Sequence, residues 1–171
     1  MMRPAWESST LRLVALAAVA LVLAACSGGS GRTNGTDGDV SSLLDSLDSE
    51  VAARWEAVCS EPLPPLSSEP LTAERFATAT DGFDLMAGLA REGDLEGARA
   101  AFLSLAHDFT HDADGFLRAS DEQLAKELCI VVALLEEEFA RSSPDAATIA
   151  ARAADGRDLL ARAAGELGFG G

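Results

Sequence analysis

Between residues 40 and 59 the apolar positions Leu44, Leu47, Val51, Trp55 and Val58 recur every three or four residues, the period of one helix face. Asp39 or Ser41 can cap this first helix. Residues 60–71 then hold Pro62, Pro64, Pro65 and Pro70, which remove backbone donors and disfavour helix, so an extended connection of unusual length is predicted. Thr72 caps a second helix carrying Phe76, Phe83, Met86, Ala87 and Ala90, with Gly82 a weak point inside it and Gly93 its end. Asp94 opens a third, striped by Leu95, Ala98, Phe102, Leu105 and Phe109 until Gly115 interrupts. Ser120 with Gln123 makes a capping box for a fourth helix bearing Leu124, Leu128, Val131, Val132, Leu135 and Phe139. Ser143 and Pro144 restart the chain as N-cap and first helical residue of a fifth, whose face is Ile149, Ala150, Ala153, Leu160, Ala164 and Leu167, with Gly168 as its stop.

No run alternates in the way strands require, so an all-α fold is expected, an antiparallel bundle of four to five helices over residues 39–171. Composition agrees: hydrophobic residues make up 48% of the chain but aromatics only 5%, with no Tyr, so the core is built from Ala, Leu and Val. Residues 90–102 resemble the inter-helix turn of a tetratricopeptide repeat. Shifting by the 34-residue period finds no second copy, which leaves an ordinary helical hairpin.

The start of the chain reads as an address. Arg3 and Arg12 precede an unbroken apolar run over residues 13–25, too short for a membrane helix, which needs about 20 residues, but suited to an export signal. The run ends Leu23-Ala24-Ala25-Cys26, which resembles the lipobox of bacterial lipoproteins. That resemblance implies cleavage after residue 25, a diacylglyceryl group on the Cys26 thiol, acylation of its amine by a chain such as palmitate, and anchoring at the extracytoplasmic face of the cell membrane. Residues 26–38 follow as the lipidated cysteine and a flexible tether rich in Gly, Ser, Thr and Asn, reaching roughly 20 Å on average.

The formal charge of −15 becomes more negative when residues 1–25, with Arg3, Arg12 and Glu7, are removed. Such a surface repels nucleic acid and anionic lipid, so the expected partners are the membrane, through the anchor, and a cell-envelope protein. Outside the cytoplasm Cys59 and Cys129 are an even pair, open either to a disulfide or to two separate buried thiols.

His107 and His111, the only histidines, lie four residues apart with Asp114 three further on, placing two imidazoles and a carboxylate on a shared helix face. At 100° per residue this face points away from the apolar stripe, so it is exposed or covered by a neighbouring element. The set is half of a divalent metal site for zinc, copper or iron, completed only if Glu136, Glu137 or Glu138 lends further ligands; that acidic run also reads as a solvated helix face. The spacing His-Asp-Phe-Thr-His lacks the glutamate of zincin proteases, and no G-x-S-x-G, P-loop or dinucleotide fingerprint is present. No catalytic residue is therefore assigned. The expected function is a non-catalytic helical binding or scaffold lipoprotein, with metal handling by His107 and His111 as the alternative.

Overall fold

The structure is a computed structural model, and residues 47–170 are described. The signal, Cys26, the tether and the first residues of the first predicted helix lie outside them. The described residues are helical with no strand. In chain order the elements are α1 (Ser49–Val58), α2 (Ala73–Glu92), α3 (Leu95–Ala101), a π-helical segment (Phe102–His107), α4 (Asp108–Ser120), α5 (Glu122–Ala140) and α6 (Ala146–Glu166). Because α3, the π-helical segment and α4 run on without a break, they form one rod, and the described all-α bundle is built from five rods.

Local chemistry sets most of the ends. Thr72 accepts from the Arg75 N–H at 3.2 Å, and Asp94 accepts from the Gly97 N–H at 2.9 Å. Gly93, at φ 84°, closes α2 by donating to the Ala90 carbonyl, while Asp94 donates to that of Leu89; a left-handed residue there favours glycine. Other ends differ from expectation. Gly115 does not interrupt its helix, which continues to Ser120. The cap of α5 is Asp121, whose carboxylate accepts from the Leu124 N–H at 2.9 Å, so the Ser120 and Gln123 box is not formed and Gln123 bonds Glu127 instead. Asp145, not Ser143, caps α6, accepting from the Thr148 N–H at 2.6 Å, and Pro144 stays outside the helix. In both corrections an aspartate one or two residues downstream takes the cap from an equally competent serine, and at Asp145 the turn is set by its N–H bond to Glu138.

The core forms where α2 lies against α6 and against the α3–π half of the long rod, while α5 packs on α4 and α6. Phe83, Met86, Phe102, Leu117, Leu128, Leu135, Ile149 and Leu160 are fully buried. Small residues permit the close approach. A Cβ on Gly156 would fall 2.5 Å from the Phe83 ring, and one on Gly82 would fall 2.6 Å from the Leu105 Cβ, so Gly82 is a packing contact rather than a weak point. Through and past the π-helical segment the buried stripe continues as Ala106, Phe109, Ala113 and Leu117, with Leu105 half-buried. The wider π turn inserts a residue into the helical period and so rotates the stripe. None of the described helices is long and apolar enough to cross a membrane.

Candidate functional site: a proline-rich strap clasped to a helix

The connection between α1 and α2, residues 59–72, lies along α4 as a strap. Its four prolines remove N–H donors, and buried helix carboxylates take several of those that remain. Leu63 donates to Asp114 Oδ2 at 2.8 Å, and Leu66 and Ser67 donate to Asp112 Oδ1 at 2.9 and 2.7 Å. The Ser67 hydroxyl donates to the other oxygen of Asp112. Two arginines neutralise the pair. Arg75 reaches Asp112 at 2.6 Å and also donates to the carbonyls of Glu69 and Pro70. Arg118 reaches Asp114 at 2.8 Å and donates to the Cys59 carbonyl at 2.8 Å. Burial alone would raise the Asp112 pKa, but the bonds from Ser67, Arg75 and Leu66 together hold it below the ordinary range.

The strap is also fixed covalently. Cys59 and Cys129 form a disulfide, with Cα atoms 5.9 Å apart and both residues buried, joining the start of the strap to the middle of α5. Of the two states left open for these cysteines, the bridge is the one present.

The face shared by His111, Asp114 and Arg118 is the one that the strap covers. His111 Nδ1 sits 3.2 Å from the Pro64 carbonyl. His107 turns to α5: its Nε2 is 2.8 Å from Glu136 Oε1 and its Nδ1 is 2.8 Å from Asp108 Oδ1. The imidazole rings are 4.7 Å apart between centroids, but Asp114 does not join them, being committed to Arg118 and the Leu63 N–H. Among the described residues no group of three or more His, Cys, Asp or Glu side chains is placed to hold a metal ion. Nor is the acidic run of α5 merely a solvated face. Glu136 bonds His107, Glu137 pairs with Arg54 at 2.6 Å, and buried Glu138 accepts from the Asp145 N–H at 2.7 Å.

Comparison with known proteins returns no matching family model, curated protein or solved structure. Geometry alone carries the functional argument. Between strap and helix opens a cleft of about 310 Å³ lined by Leu63, Pro65, His111, Asp112, Gly115 and Phe116. Phe116 is 61% exposed and Leu66, on the strap, 51%. Asp112, Ser67, Arg75, Arg118 and Phe116 were not singled out by the sequence. The available signal was a donor-poor strap followed by a helix with three aspartates in the stretch His111-Asp112-Ala113-Asp114 and at Asp108, but pairing across some fifty residues has no local signature.

The bond from Glu136, opposed by burial and aided by Asp108, raises the His107 pKa above its ordinary 6.5, and the same bond lowers Glu136 below 4.5. The histidine's share of stability is fully present below about pH 6.5 and is lost as pH rises through its folded pKa. The glutamate's share is present above about 4.5 and is lost as pH falls through its own folded value. Wild-type stability minus that of His107→Ala is therefore expected to be greatest between those limits and to shrink above pH 6.5, measured by urea unfolding across pH. A difference independent of pH would contradict the ion pair.

Proposed function

We propose that this chain is a lipoprotein anchored through Cys26 at the extracytoplasmic face of the membrane, with a non-catalytic helical domain that docks a cell-envelope protein at the strap–α4 cleft. The observation that carries the reading is exposed Phe116 beside Leu63 and Pro65, on backbone held in place by Asp112 and Asp114. A partner would meet an apolar surface whose ordering entropy has already been lost on folding, and that favours tight docking. The Cys59–Cys129 bridge supports an oxidising compartment. The site's carboxylates bond the strap and two arginines rather than facing an open reaction space, which supports a binding role over catalysis. Nothing in the geometry favours metal handling, since both ring nitrogens of His107 are engaged by carboxylates.

The test uses the full chain, exported in a bacterial host with a lipoprotein pathway. A photo-crosslinking residue at position 116 is expected to give a discrete protein adduct, and one at Leu85, which is 49% exposed on α2, is expected to give none. Cys26→Ala should release the protein from the membrane fraction. Equal labelling at both positions would refute the cleft, and unchanged membrane association of Cys26→Ala would refute the anchor.

A further inference from the structure

A second cavity, of about 210 Å³, opens where the π-helical segment meets the end of α5, lined by Arg99, Phe102, Leu103, Glu136, Phe139 and Ala140. Its apolar wall is aromatic. Phe102 and Phe139 stack with centroids 5.8 Å apart, and Leu103 at the mouth is 40% exposed. The polar part is set by charge pairing. Glu136 is hydrogen-bonded to His107 at 2.8 Å and makes no ion pair with Arg99. Of the described arginines and lysine, only Arg91 and Arg99 lack an ion-pair partner among the described residues, although the chain has 28 acidic residues against 13 basic ones. Arg99 is the one that lines a cavity.

We propose that this cavity binds a small monocarboxylate with an aromatic or short apolar body, its carboxylate paired with Arg99 and its body against Leu103 and the half-buried ring of Phe139, which stacks on buried Phe102. A guanidinium presents two parallel donors that match a carboxylate, and the Phe139 ring offers an apolar face. At about 210 Å³ the cleft has room for a small aromatic body. The backbone agrees with the assignment. The π-helical run begins at Phe102, so Phe102 and Leu103 of the widened turn both belong to the lining, and π turns are frequent at functional sites. This site is separate from the strap cleft, sharing no lining residue with it, and stands or falls independently of the docking proposal.

The test is titration of the disulfide-bonded protein with 3-phenylpropanoate, followed by calorimetry and by amide chemical shifts. Saturable one-to-one binding is expected, with shifts confined to residues 99–107 and 136–140. Arg99→Ala should weaken it about 10-fold or more, as should replacing the ligand by 3-phenylpropan-1-ol, because either change removes the charge-assisted bonds. Leu103→Ala, at an exposed position that does not endanger folding, should weaken binding a few-fold. Arg91→Ala should leave it unchanged. Absence of saturable binding, wild-type affinity in Arg99→Ala, equal loss in Arg91→Ala, or shifts centred on residues 63–67 and 111–116 would each overturn the assignment.

Discussion

Arg118→Ala is expected to cost about 3–5 kcal/mol of unfolding free energy, the penalty for leaving a buried charge without its partner. The Asp114 side chain is 2% exposed and that of Arg118 9%, so little water can replace the guanidinium. The same substitution strips the Cys59 carbonyl of its donor and loosens the strap where it leaves α1. Against a typical domain stability of roughly 5–15 kcal/mol this is a large fraction. Urea unfolding at neutral pH measures it. The double variant Asp114→Asn/Arg118→Ala should be less destabilised than Arg118→Ala alone, because an amide at 114 still accepts from the Leu63 N–H without stranding a charge. A loss below about 1 kcal/mol in the single variant would show that the clasp is not formed as described.

Removing the disulfide with Cys59→Ser/Cys129→Ser is expected to cost about 4 kcal/mol, the chain-entropy value for closing a loop of this length. The bridged residues are 70 apart in sequence. The effect should be uneven. No residue of α1 is buried, and α1 touches only α5 to any extent, through contacts that include Arg54–Glu137. Hydrogen exchange should therefore show protection lost first over residues 49–72, with α2, α5 and α6 retaining theirs. Unchanged melting and unchanged protection in α1 would contradict this. Because Cys59 is held by its sulfur to Cys129 and by its carbonyl to Arg118, the effects of the two sets of substitutions should not add.

Helix positions and several ends were legible in the sequence because they depend on neighbours within four residues. Thr72, Gly93 and Asp94 act as read, and the Ala-rich stripes face the core. The two displaced caps show the limit of that reading. Ser120 and Asp121 are both competent, as are Ser143 and Asp145, and the final choice follows how each turn is held; Asp145 is fixed by its own N–H to Glu138, seven residues earlier on α5.

The π-helical segment had no sequence signature. Its extra residue sets Leu105 against Gly82 and continues the buried face as Ala106 and Phe109, an adjustment that only the facing helix makes worthwhile. The histidine face illustrates the same division. Spacing put His107, His111 and Asp114 together on one helix, but each side chain also takes a partner from elsewhere: Glu136 from α5, the Pro64 carbonyl and the Leu63 N–H from the strap. With Cys26 set aside, the sequence allowed a single pairing of the remaining cysteines, and packing brought their Cα atoms to 5.9 Å. The sequence by itself determined that the domain is helical, where most of its rods lie, and that an extended proline-rich connection follows the first. The tertiary structure decided what the connection lies on and which carboxylates hold it. Periodicity and capping are written in a few successive residues, whereas a buried carboxylate takes whichever donor the packed chain brings within about 3 Å.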